Sequence, residues 1–236
     1  MNVALLTAAG QGNRMGQDIP KQFLHVNDKP VIIYTLERFQ NSPQIDAILV
    51  VTLPHWSDFI WSYANQFGIT KLKWVVPGGE TGQESIYNGL TKIKEECPED
   101  TVVVIHDGNR PMVDNEIIAN GFSVYKYHGS AIAAIPCVEA VFRSETGESS
   151  NESIPRDQLF RTQTPHIYDL KDALWAYEQA KEKNITASTA ICTLMNELGR
   201  PIYFSKGSEK NIKLTTLDDM EIFKALLTAE KSSWLK

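Results

Sequence analysis

Residues 3–16 read Val3-Ala4-Leu5-Leu6-Thr7-Ala8-Ala9-Gly10-Gln11-Gly12-Asn13-Arg14-Met15-Gly16, and the reading of the fold turns on this stretch. It opens as an aliphatic run with no polar alternation and then breaks into small residues and glycines. A run that is apolar on successive positions suits a strand covered on both faces, as in a parallel sheet. Runs of the same kind return at Ala47–Leu53, Leu72–Val76, Thr101–Ile105 and Ala131–Ile135. Between them Val31–Gln40, Ser57–Gln66, Gln83–Glu95 and Asn115–Tyr127 carry a helical period. Strand and helix in alternation predict an α/β fold: a Rossmann-like, doubly wound, mostly parallel sheet. In such a sheet the loops at the strands' C-terminal ends share one rim, where ligands bind.

Beyond Pro136 the rhythm changes. Arg143–Ser153 is polar and rich in Ser and Glu, and the α/β pattern then resumes. This predicts a β-arm at about 137–160 projecting from one domain that spans residues 1–236. Asp169–Lys183 and Ala187–Leu198 read as helices, Pro201–Ser205 as a strand and Leu217–Leu227 as a closing helix.

The chain has 236 residues, 42% hydrophobic and 22% charged, enough to build a core and to exclude disorder. Its net charge of −6 lacks the electrostatic footprint of a general nucleic-acid binder. No apolar run approaches the roughly 20 residues of a membrane span, and Met1–Gly10 has no basic segment to make it a signal peptide. Cys97, Cys137 and Cys192 are odd in number and widely spaced, which fits neither a disulfide framework nor a metal site. The expectation is a cytoplasmic protein with no membrane or nucleic-acid partner.

Chemistry gathers at the strand ends. After the first strand, two glycines expose backbone N–H groups, and Arg14 and Lys21 add fixed positive charge. Such a loop favours a polyphosphate. It is not a dinucleotide fingerprint: Met15 holds the third glycine position, and the second strand runs into Pro54-His55 without an acidic residue for a ribose. The third strand runs into Gly78-Gly79-Glu80-Thr81-Gly82-Gln83-Glu84-Ser85. Thr81 or Ser85 can cap the following helix, and Glu80 with the loop carbonyls can wall in a nucleobase. The fourth strand ends in His106-Asp107-Gly108-Asn109-Arg110-Pro111. Asp107 can hold a divalent cation, directly or through water, or pair with Arg110. Near the end of the chain, Lys213 alternates with Ile212 and Leu214 in a short strand, which points it away from the apolar face and within reach of the same rim.

In order along the chain stand A-A-G-x-G-x-R-M-G with P-K-Q (Ala8–Gly16, Pro20–Gln22), G-G-E-x-x-x-x-S (Gly78–Ser85) and H-D-x-x-R-P (His106–Pro111). They are followed by P-R-x-x-L…Q-T-P (Pro155–Pro165) and N-I-K-x-T (Asn211–Thr215). Together these resemble the cytidylyltransferases that activate small polyol phosphates, either 2-C-methylerythritol 4-phosphate for isoprenoids or ribitol 5-phosphate for teichoic acid and capsule. The resemblance implies in-line attack of a polyol phosphate on the α-phosphorus of CTP, with Mg2+ on the triphosphate and pyrophosphate leaving. It places Arg14, Lys21 and Lys213 at the transition state. Thr7, Ala8, Ala9, Gly10, Gly12, Gly79, Glu80, Ser85, Asp107 and Gly108 would contact the nucleotide, and Asp107 its metal. Arg110, Arg156, Thr164 and Thr186 would face the acceptor. It further implies a homodimer whose arm carries Arg156 into the partner's acceptor pocket.

Three departures concern the acceptor. Glu139-Ala140 replaces the methylerythritol branch's usual Asp-Thr, and Thr186-Ala187-Ser188-Thr189 replaces its Thr-Asp-Glu-Ala. Gly108-Asn109 stands in place of the usual pair of small residues. They favour a ribitol-type acceptor over methylerythritol phosphate. Two other functions remain to be separated: a sugar-1-phosphate nucleotidyltransferase, which lacks the arm and the N-I-K segment, and a catalytically silent nucleotide-binding subunit, which has no use for so many converging charges.

Overall fold

Val3 and Leu5 face one side of the central sheet and Ala4 and Leu6 the other, although all four are aliphatic and fully buried. That is how a continuous apolar run satisfies a sheet covered on both faces. The computed structural model describes residues 1–10, 19–186, 188 and 190–231.

Strand β1 (Asn2–Ala8) is followed by a 3-10 turn at Lys21–Phe23, a small hairpin of β2 (His25–Val26) and β3 (Lys29–Pro30), and α1 (Val31–Gln40). Then come β4 (Ala47–Thr52), α2 (Ser57–Gln66), β5 (Leu72–Pro77), α3 (Gly82–Glu96), β6 (Val102–Asp107), α4 (Asn115–His128) and β7 (Ser130–Pro136). Strands β8 (Val141–Arg143) and β9 (Glu152–Ile154) pair only with each other, as an antiparallel hairpin outside the main sheet. The chain returns through β10 (Phe160–Asp169), α5 (Leu170–Glu182), α6 (Ile191–Glu197), β11 (Phe204–Lys206) and α7 (Leu217–Lys231).

The seven-stranded sheet has the order β11-β7-β10-β6-β1-β4-β5. Every pairing is parallel except those of β10, which runs antiparallel to both β6 and β7. Helices α1, α2 and α4 cover one face through Ile32, Leu36, Ile60 and Ile118, and α3, α5 and α6 cover the other through Leu90, Ile93, Ala173 and Leu194. Phe223 of α7 closes a smaller cluster with Val31, Met112 and Leu214. No helix among the described residues is long and apolar enough to cross a membrane.

Three sequence expectations change. Strand β10 went unread, because its outer half is exposed and its pairing with β7 is interrupted between Thr162 and His166, around the cis Thr164–Pro165 bond. The short strand expected around Lys213 is absent: Asn211–Thr215 is irregular, held by the side chains of Asn109 and Arg110 and by its own Asn211 on the Thr164 carbonyl. The helix expected from Ala187 to Leu198 is confined to α6.

Candidate active site

Parallel register sets the site. Thr7 pairs with Asp107 and Ala8 with Thr52, so β1, β4 and β6 end level at one rim. There a cavity of about 510 Å³ opens, lined by Thr7, Ala8, Ala9, Gly10, Lys21, Gly79, Glu80, Ser85, Asp107 and Lys213 from the sequence reading. Gln22, Gln83, Asn109, Tyr177, Ser188 and Ala190 also line it. Gly12 and Arg14 lie outside the described residues.

Each wall is fastened from behind. Gln22, only 2% exposed, donates its Nε2 to the carbonyls of Ala8 (2.6 Å) and Gly10 (3.1 Å), tying the turn that bears Lys21 to the end of β1. Phe23 anchors that turn on its other side, buried and stacked flat on Trp56 at 4.1 Å between ring centroids. The backbone from which Lys21 reaches the cavity is thereby fixed. Across the cavity, a capping box starts α3: Glu84 N–H donates to Thr81 Oγ1 (3.1 Å), while Glu84 Oε2 accepts from Thr81 N–H (3.3 Å) and also from Glu80 N–H (2.7 Å). Gly79 N–H donates to Ser85 Oγ (3.1 Å), which in turn donates to the Thr81 carbonyl (2.9 Å). A Cβ at Gly79 would fall 2.3 Å from Glu84 Cβ, so only glycine lets the loop fold back on its own cap.

Asp107 is the electrostatic centre of the rim. Its Oδ2 accepts from Arg110 Nε (2.9 Å) and its Oδ1 from Lys213 Nζ (3.0 Å). Burial alone would raise its pKa, but the two cations outweigh that and hold the carboxyl below the ordinary carboxylate range. Behind it, Thr164 Oγ1 accepts the Asp107 N–H (3.0 Å) and meets His106 Nδ1 (3.0 Å). The opposite ring nitrogen, Nε2, faces the Arg110 carbonyl (3.0 Å), which can only accept, so the proton sits on Nε2 and Nδ1 accepts from Thr164. Burial lowers the His106 pKa to about 4, keeping the ring neutral. With both ring nitrogens engaged and the side chain fully buried, His106 is a strut and not a base.

The remaining predicted residues lie elsewhere. Gly108 does not line the cavity. Its N–H donates to the Thr7 carbonyl (2.9 Å), its own carbonyl accepts from Thr35 Oγ1 (2.8 Å), and a Cβ there would strike Ile32 at 2.6 Å. Arg110 sits just behind the wall, with Nη1 on the Asn211 carbonyl (2.8 Å). Thr164 is committed to His106 and Asp107 as described. Thr186 lines a second cavity of about 300 Å³ between α3 and α5, which shares Thr81, Gln83 and Tyr177 with the first. Arg156 lies on the arm side, in a 3-10 turn, with Nη1 on the Val138 carbonyl (2.8 Å). The side chains missed in the sequence, Gln22 and Asn109, act by hydrogen-bonding backbone, and no periodicity reports that.

The family profile of 2-C-methyl-D-erythritol 4-phosphate cytidylyltransferase, IspD, matches residues 2–229. The chain belongs to the IspD cytidylyltransferase family. It is a nucleotidyltransferase. Among its relatives, a protein named ribitol-5-phosphate cytidylyltransferase from Lacticaseibacillus paracasei is 44% identical over 96% of this chain and 98% of its own length. A 2-C-methyl-D-erythritol 4-phosphate cytidylyltransferase from Clostridium botulinum is 33% identical over 96% and 97%. The crystal structure of the Francisella tularensis IspD superposes with a TM-score of 0.78 at 29% identity, covering 95% of this chain and 98% of that one. The mostly parallel cytidylyltransferase fold expected from the sequence is thereby confirmed.

Proposed function

We propose that this protein transfers the cytidylyl group of CTP to ribitol 5-phosphate, giving CDP-ribitol and pyrophosphate. A phosphate oxygen of the acceptor forms the new bond to the α-phosphorus as the bond to the β-phosphate's bridging oxygen breaks. The attacking phosphate is already anionic near neutral pH, so the step calls for no general base. What remains is to position the reactants and to stabilise negative charge on the equatorial and leaving oxygens. The observation that carries the reading is the meeting of Lys21, Lys213 and Asp107 on one cavity walled by the Thr7–Gly10 and Gly79–Ser85 segments. In this reading Lys21 and Lys213 face the triphosphate, the Gly79–Glu80 backbone faces the base, and Arg110 steadies the acceptor end.

Mg2+, when bound, neutralises the triphosphate oxygens. Asp107 would hold the ion through water, since its two oxygens are engaged by Arg110 and Lys213, and its carboxylate lies on the cavity wall. A single carboxylate suits an ion that takes most of its ligands from substrate phosphates and water.

The acceptor rests on the relatives named for ribitol 5-phosphate and on Ala140 and Ser188, which stand where a hydroxyl and a carboxylate are usual in the methylerythritol branch. The arm is read as an interface with a second copy. At its root Val138, Phe142, Phe160 and Phe204 are each about half exposed, with Phe160 stacked on Phe204 at 4.9 Å. Sedimentation should give a dimer, and a monomer that turns over fully would end that part of the reading.

Pyrophosphate release is the test of function, measured for CTP, UTP, GTP and dTTP against ribitol 5-phosphate, 2-C-methylerythritol 4-phosphate and a sugar 1-phosphate. The expected result is turnover with CTP and ribitol 5-phosphate at least about tenfold above every other pair, a margin worth ~1.4 kcal/mol. Preference for another nucleotide would overturn the cytidylyl assignment, and preference for methylerythritol phosphate would move the protein to the other branch.

A further inference from the structure

Lys213 stands on a segment with no secondary structure of its own, yet its Nζ sits 3.0 Å from Asp107 at the cavity. Something must fix that backbone. At its start, Gly207 N–H donates to the Ala134 carbonyl (3.0 Å), and Gln163 bonds both the N–H and the carbonyl of Ser208. In its middle, Asn211 Nδ2 donates to the Thr164 carbonyl (2.8 Å). Next to Lys213 itself the hold is a two-way pair. Leu214 N–H donates to the Asn109 carbonyl (2.9 Å), and the Asn109 side-chain Nδ2 donates to the Leu214 carbonyl. One residue thereby supplies both an acceptor and a donor, as a neighbouring strand would. Asn109 is 5% exposed and Leu214 fully buried, so water does not compete for these bonds.

The chain geometry links this pair to the chemistry. Asn109 lies two residues after Asp107, and Leu214 directly follows Lys213. The clamp therefore fixes the two ends of the Asp107–Lys213 ion pair relative to each other. We propose that Asn109 is a positioning residue of the transfer reaction: its side-chain amide sets where Lys213 presents its charge over the cavity. The proposal rests on the reading of Lys213 given under the proposed function. Without the amide the Leu214 carbonyl loses its partner, the two-way pair beside Lys213 is reduced to the single bond from Leu214 N–H to the Asn109 carbonyl, and Lys213 samples more positions. Misplacement of about 1 Å in a charge that acts at the transition state costs on the order of 10²-fold in rate, with little effect on ground-state binding.

The experiment is a double-mutant cycle on turnover, using the full-length protein with CTP and its acceptor. Asn109→Ala is expected to lower kcat by about 10- to 100-fold with the KM for CTP changed by less than about twofold. In the Lys213→Ala background the same substitution should cost almost nothing, because the group it positions is gone. A purely structural role would instead give the same loss in both backgrounds, and that result overturns the proposal. So does wild-type turnover in Asn109→Ala. Should Lys213→Ala itself turn over like wild type, the role given to Lys213 fails, and this is seen independently of Asn109. Asn109→Ser, polar but too short to reach Leu214, carries the same expectations should Asn109→Ala not accumulate as folded protein.

Discussion

Lys21→Ala is expected to lower kcat by about 10²- to 10³-fold while the KM for CTP changes by less than about fivefold, the pattern of an interaction made mainly in the transition state. The asymmetry follows from where the charge sits. Lys21 stands on a turn fixed by Gln22 and Phe23, and that fixation survives the substitution because neither bond nor stack involves the Lys21 side chain. The cavity keeps its shape and its bare amides, so the ground-state triphosphate keeps most of its contacts. What is lost is a preorganised cation where negative charge builds up as pyrophosphate departs. Steady-state kinetics over a range of CTP concentrations check this. Equal losses in kcat and in CTP affinity would make Lys21 a nucleotide-binding residue and no more.

Asp107→Asn should damage both the fold and the reaction. The side chain keeps its shape, but Arg110, with only 13% of its side chain exposed, and Lys213 lose their shared counter-ion. Removing one partner of a largely buried pair costs about 3 kcal/mol, because a cation stays behind without compensation. Most of that belongs to the Arg110 pair, since Lys213 is 42% exposed and its interaction is screened. For a chain of this size the loss corresponds to a fall in Tm of about 6–12 °C. Activity should fall by about 10²-fold as Lys213 loses its mooring. The pH dependence separates this from generic damage. Lys213 and Arg110 hold the Asp107 carboxyl below its ordinary value against the effect of burial. Its contribution to stability is therefore complete above the unfolded-state value of about 4 and is lost as pH falls below it. By pH 3.5 the wild type should have lost the first part of this increment, the rest going as pH falls through the lower folded-state value, and Asp107→Asn should show no such loss. Denaturant midpoints at pH 7 and pH 3.5 give the comparison, and a variant as stable as wild type at pH 7 would refute the account of the pair.

The parts of this molecule legible in its sequence are those where one physical rule acts alone. Val3–Ala8, Ala47–Leu53 and Ala131–Ile135 are buried on both faces, so hydrophobicity by itself marks them as strands. The rim followed from those strands, since Thr7 and Asp107 end neighbouring strands in register. Strand β10 was hidden because it mixes an exposed half with a buried one and carries Pro165, so neither the continuous nor the alternating pattern applies. The Lys213 segment was misread for a related reason. Alternation of Ile212, Lys213 and Leu214 does place Lys213 outward, but the backbone is held by side chains of Asn109, Asn211 and Gln163 and not by a strand partner. Tertiary bonds of that kind leave no period behind. Gly108 shows the opposite case: a glycine next to Asp107 whose bareness lets the backbone pack against Ile32 and the Thr7 carbonyl, a close approach that its position in the sequence did not announce.

The most direct test of the account is a crystal structure with a non-hydrolysable CTP analogue bound. The predicted result has the triphosphate within hydrogen-bond reach of Lys21 and Lys213, and the cytosine edge against the Gly79–Ser85 turn. A nucleotide seated elsewhere, with both lysines left out of contact, would contradict it.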